Sequence, residues 1–175
     1  RTIKAADMIL KEGIADLIIL GNKDKITELS VGLDISAAKV MDPETDEKRQ
    51  EFADAFYEMR KAKGMTPEQA NDTMLNSLYY GVMMVEKNYA DGMVAGAVNS
   101  TSNVLRPSLQ ILKTAPGTKL VSAFFAIVCP DKTLGSDGVF VFGDSGLVEN
   151  PDADELSEIA ISSAKSFKTL TGKEP

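Results

Sequence analysis

Ala15-Asp16-Leu17-Ile18-Ile19-Leu20-Gly21-Asn22 is a short apolar run stopped by a turn pair. A run of this length, bounded by Gly21 and Asn22, is the pattern of a strand buried on both faces of a parallel sheet. Before it, Ile3, Ala6, Met8, Ile9 and Leu10 fall mostly on one face of an opening helix that Gly13 ends. After it, residues 24–29 read as a helical turn or two, and Ala38-Lys39-Val40-Met41 reads as a second strand broken by Asp42-Pro43. Strand, helix and strand in succession already point to an α/β layered fold.

The rest of the chain extends that alternation. An amphipathic helix is expected over residues 46–63, with Phe52, Ala55, Phe56 and Met59 at helical spacing and Gly64 closing it. Thr66-Pro67-Glu68-Gln69 restarts a helix, with Thr66 as cap, Pro67 at the first position and Gln69 completing a capping box. Residues 71–88 continue as one or two helices. Residues 90–98 are expected as the next strand, running into Asn99-Ser100-Thr101-Ser102-Asn103 and a helix through Leu112. The breaker pair Pro116-Gly117 marks the best linker. Beyond it, residues 120–128 and 139–142 read as strands, and a last helix spans residues 153–168. The expected architecture is a layered α/β/α fold with a largely parallel sheet. A first domain covers residues 1–114, lacking its first strand and C-terminal part, and residues 115–175 begin a second. That second stretch is too short to bury a core alone, so the chain reads as truncated.

Composition narrows the chemistry. The 175 residues are 43% hydrophobic and 26% charged, which excludes a disordered chain. A net charge of -7 repels phosphate backbones and argues against nucleic-acid binding, while leaving small anions open wherever Arg clusters locally. Histidine is absent, which removes Ser-His-Asp and Cys-His activation and the commonest transition-metal ligand. The single cysteine, Cys129, excludes an intrachain disulfide and fits a reducing compartment. No apolar run approaches the ~20 residues of a membrane span. The expectation is a soluble, cytoplasmic protein with no membrane partner.

Candidate sites follow from local chemistry. Asn99, Ser100, Thr101 and Ser102 stand between an expected strand end and a helix start, where parallel sheets gather ligands. Unpaired N–H groups, the positive end of the helix dipole and three hydroxyls suit a phosphate. Pro107 is read as lying near the first turn, which places Arg106 close to the helix start. The bland alternative is that these polar residues only cap the helix. Arg60 ends the long helix in a basic cluster, where the dipole alone also favours Arg and Lys. Gly143-Asp144-Ser145-Gly146 copies a serine-nucleophile motif, but without histidine it reads as a turn. Cys129 reads as a buried small hydrophobe.

Several segments closely resemble the phosphate acetyl/butyryltransferase family, and its acetyl enzymes in particular. They include Arg60-Lys61-Ala62-Lys63-Gly64-Met65-Thr66 and Ala90-Asp91-Gly92-Met93-Val94-Ala95-Gly96-Ala97. Leu105-Arg106-Pro107-Ser108-Leu109-Gln110, Lys113-Thr114-Ala115-Pro116-Gly117 and Asn150-Pro151-Asp152-Ala153-Asp154-Glu155-Leu156 continue the likeness. The resemblance implies two α/β domains with a cleft, an isocitrate/isopropylmalate dehydrogenase-like architecture and a homodimer. It implies reversible acetyl transfer between coenzyme A and phosphate, with coenzyme A as a substrate and no tightly bound cofactor or metal. It assigns Arg60 and Arg106 to coenzyme A, and sets Asn99, Ser100, Thr101 and Ser102 beside the acetyl and phosphate groups. Catalytic residues are expected in a C-terminal segment that these residues lack, so this chain alone is expected to be inactive. Two alternatives are a butyryltransferase-like enzyme and a non-catalytic coenzyme A-binding regulatory module.

Overall fold

Helix α1 (Thr2–Glu12) ends at Gly13, whose φ of 65° lets its N–H reach back to Ile9 and Leu10. The chain then enters β1 (Ile18–Leu20), turns into α2 (Lys23–Leu29) through the Asn22 cap, and returns in β2 (Lys39–Met41). These strands pair in parallel, with Ile18 opposite Lys39 and Leu20 opposite Met41. Ala6, Ile19 and Ile26 are buried together beneath Ile3, Leu17, Ile35, Ala38 and Val40. Asp7 ties α1 to the loop before β2. Its carboxylate accepts from the Lys11 ammonium at 2.8 Å and the Asp34 N–H at 2.9 Å.

The second core is helical. Helix α3 (Arg49–Arg60) tightens into a 3-10 turn over Lys61–Lys63, which Gly64 ends at φ 84°. Helix α4 (Pro67–Thr73) shows the capping box of Thr66 and Gln69, and α5 (Ser77–Glu86) starts at the Asn76 cap. Phe52, Phe56, Met74, Tyr80 and Met83 are wholly buried here. Phe52 meets Tyr80 with ring centroids 4.9 Å apart, a separation at which aromatic pairs add to simple area burial. Tyr80 is not purely core filler, because its hydroxyl donates to Asp46 Oδ1 at 2.7 Å.

The computed structural model describes residues 1–175 and contains two units, Arg1–Lys113 and Thr114–Pro175. The first closes with α6 (Thr101–Ile111), which packs on α5. The second holds β3 (Phe124–Val128), β4 (Val139–Gly143) and α7 (Ala153–Thr171). β3 and β4 form an antiparallel hairpin, with α7 packed on β4. The sheet of the first unit is thus parallel and that of the second antiparallel, within an α/β fold.

Two local expectations are corrected. Residues 90–98 form no strand. Gly96 sits at φ 109°, outside the range a regular strand adopts, and Val94 and Val98 stand 102% and 92% exposed. Only Met93 is anchored, against Gly81 of α5, where an added Cβ would lie 2.7 Å from its sulfur. Pro107 is not in the first turn but in the middle of α6, where it is buried. The helix starts earlier than expected because Ser100 caps it. Thr101 and Ser102 therefore occupy the first turn, and Arg106 the second.

Candidate functional site

The hydroxyl cluster is built around the start of α6. Ser100 accepts from the Asn103 N–H at 3.3 Å and lies 3.1 Å from the Ser102 hydroxyl. The N–H groups of Thr101 and Ser102 have no acceptor within the helix, and the dipole makes this end positive. Asn99, Ser100, Thr101 and Ser102 are all exposed, so their donors face solvent. Ser102 and Arg106 are four residues apart, which puts the guanidinium on the same face of α6 as the hydroxyl. The structure adds Arg1, whose guanidinium donates to the Ala97 carbonyl at 2.8 Å, two residues before Asn99. Ninety-six positions separate the two. No local sequence pattern announces such a contact.

Arg60 stands at the end of α3. Its Nε is buried without a hydrogen-bond partner, because the stem lies along the core while the charge reaches outward. Neither Arg60 nor Arg106 pairs with a carboxylate. All five ion pairs of the chain use lysines, from Lys11–Asp7 to Lys173–Asp137. In a chain with 26 acidic residues, two unpaired guanidiniums are available for an external anion. Arg60 and Arg106 share the first unit, on helices α3 and α6, which both pack on α5.

The sequence motif 143–146 is a turn. Ser145 donates to the Phe142 carbonyl at 3.1 Å. Burial pushes the Asp144 carboxyl up, but the N–H groups of Leu147, Gly146, Ala123 and Val148 outweigh it and hold the group below the usual carboxylate range. Cys129 is half-buried rather than buried, since it lies beyond the end of β3. Of the carboxyls with displaced titration, Asp7, Asp34, Glu68, Asp131, Asp137 and Asp144 all move down. Each is held ionised by donors, so none is raised toward neutrality as a general base requires.

An α/β chain that combines a hydroxyl-rich helix start with two unpaired guanidiniums defines a class: a protein built to hold a small polyanion. The comparisons specify it. The family model for phosphate acetyl/butaryl transferase matches residues 1–175, and the chain belongs to that family. A phosphate acetyltransferase of Acetivibrio thermocellus is 58% identical over the whole chain, and one of Thermoanaerobacterium thermosaccharolyticum is 51% identical. The chain covers 53% of each of these relatives, about half their length. Among solved structures, a phosphotransacetylase from Staphylococcus aureus superposes with a TM-score of 0.84 at 36% identity. It is matched by 95% of this chain, over 49% of its own length. One from Streptococcus pyogenes gives 0.86 at 34% identity, with 95% of this chain and 50% of that one covered. No helix of the chain is long and apolar enough to cross a membrane.

Proposed function

We propose that this chain supplies the coenzyme A-holding part of a phosphate acetyltransferase, which interconverts acetyl-CoA and phosphate with acetyl phosphate and coenzyme A. The observation that carries the reading is the pair of guanidiniums without carboxylate partners, one of them in line with Ser102 on α6. Arg60 and Arg106 grip the phosphates of coenzyme A. Asn99, Ser100, Thr101 and Ser102 face the acetyl and phosphate groups. The first unit corresponds to the first domain of such an enzyme, and residues from Thr114 onward to part of the second. The whole protein works in the cytoplasm as a homodimer.

In the direction of acetyl-CoA, the coenzyme A sulfur attacks the acetyl carbonyl. The new S–C bond forms as the C–O bond to phosphate breaks, and the thiol proton passes to a base. Developing charge on the acyl oxygen and on the departing phosphate needs donors, which helix N–H groups, hydroxyls and guanidiniums provide. No carboxyl in this chain is tuned to take the proton, so its residues bind and orient. The same reasoning supports the non-catalytic coenzyme A module as a second reading. Rates of the whole enzyme with acetyl, propionyl and butyryl phosphate fix the acyl preference.

Titration calorimetry with coenzyme A tests the reading. The chain should bind, and Arg60→Gln and Arg106→Gln should each weaken binding by about 2 kcal/mol, the low end for a charge pair desolvated on binding. Absence of binding, or two variants that bind like the unmodified chain, would overturn it. The isolated chain should show no coenzyme A-dependent arsenolysis of acetyl phosphate.

A further inference from the structure

Helices α3 and α6 carry the two guanidiniums, yet they pack on α5 and scarcely on each other. Their spacing therefore passes through α5. On α3, Phe56 precedes Arg60 by four residues, and on α6 Arg106 precedes Gln110 by four. Side chains four apart share a helix face, about 6 Å apart along the axis. Tyr79 of α5 touches both of the inner residues. Its ring meets Phe56 edge-on at a centroid distance of 5.5 Å and an angle of 65°. Its hydroxyl donates to Gln110 Oε1 at 3.1 Å. Each guanidinium thus stands one helical turn from a residue that the same tyrosine holds.

The neighbouring tyrosine makes the division of labour clear. Tyr80 spends its ring on Phe52 and its hydroxyl on Asp46, which ties α5 to the segment before α3. Tyr79 alone joins the far end of α3 to α6. A phenylalanine would fill the same space against Phe56, so the hydroxyl serves Gln110 and not the core.

We propose that Tyr79 is a positioning residue that sets the separation of Arg60 and Arg106 by packing on Phe56 and hydrogen bonding to Gln110. The proposal rests on the coenzyme A reading given above. A ligand held at two points gains from the second contact only when the geometry lets both engage together. Tyr79 fixes that geometry before the ligand arrives, and loosening it uncouples the two contacts.

The test is coenzyme A calorimetry on the full chain, with Arg60→Gln, Arg106→Gln and their double variant, in the unmodified and the Tyr79→Phe backgrounds. Tyr79→Phe should weaken binding three- to tenfold. The double arginine variant should depart from the product of the single effects in the unmodified background, and should approach that product with Tyr79→Phe. Gln110→Met should reproduce Tyr79→Phe, and combining the two should add nothing further. If both arginine variants weaken binding while Tyr79→Phe changes neither affinity nor their coupling, the positioning role fails and the coenzyme A reading stands. If neither arginine variant matters, both fail together.

Discussion

At the scale of single residues, the polar groups with structural duties are those whose partners are donors already in place. Asp7 is 6% exposed, and the Lys11 ammonium followed by the Asp34 N–H holds its carboxyl below the usual carboxylate range. A carboxyl depressed in the folded state binds fewer protons there than in the unfolded chain. Its stabilisation is therefore complete above the unfolded value near 3.9 and fades as the pH falls through the folded one. Asp7→Asn should lower the urea midpoint of the first unit at pH 7, and the gap to the unmodified chain should shrink steadily below about pH 4. An equal gap at every pH would assign the effect to packing instead. Tyr80 offers a second case. Burial, then the bond to Asp46, pushes its hydroxyl far above the ordinary tyrosine range, so it remains a donor throughout the working pH range. Tyr80→Phe should remove about 1.5–3 kcal/mol of unfolding free energy, as for a buried bond to a charged acceptor. Chemical denaturation of the two proteins side by side measures it.

At the scale of elements, what could be read in advance was whatever short-range chemistry determines. The Thr66–Gln69 box, the Gly13 and Gly64 helix ends and the apolar run of β1 each depend on a few neighbouring residues, and all are present. The segment 90–98 has a strand's composition, but pairing is a long-range matter, and Gly96 at positive φ decides against it. The start of α6 was misplaced because Pro107 tolerates either the first turn or a buried interior position, and only tertiary packing chooses. The hydroxyl cluster and Arg106 were legible as local motifs. Arg1 at Ala97 and Tyr79 between two helices were not, because nothing in their neighbourhood marks them. The contact between β4 and α7 carries its own prediction. Ser163 Oγ is buried without a partner, and a Cβ on Gly143 would lie 2.3 Å from it. Gly143→Ala should therefore destabilise the second unit. Ser163→Ala, by removing an unsatisfied hydroxyl, should stabilise it by about 1 kcal/mol and lessen the harm of Gly143→Ala when the two are combined. Thermal melts of the three variants decide the sign.

At the scale of the whole molecule, the two units differ in how much core each owns. Both clusters of buried apolar side chains belong to the first unit, including the wholly buried Phe52, Phe56, Met74 and Met83. In the second, Ile159 and Phe167 are the buried apolar side chains, while Phe125 and Phe142 of the hairpin are 60% and 58% exposed. Lone small units with so little burial are marginal, because chain entropy rises with every ordered residue while the apolar gain does not. Between the units, Lys113 adopts φ 63° and residues 114–119 are exposed without helix or strand. A protease needs about this kind of accessible, irregular backbone. Limited trypsin digestion should cut first after Lys113 or Lys119. The piece from the first unit should persist, since opening it must expose its buried aromatic cluster. The piece from the second should be degraded soon after release, its lysines becoming accessible as the hairpin and α7 part. Mass spectrometry of a digestion time course follows both. Persistence of the second piece, with loss of the first, would show that burial has been assigned to the wrong half.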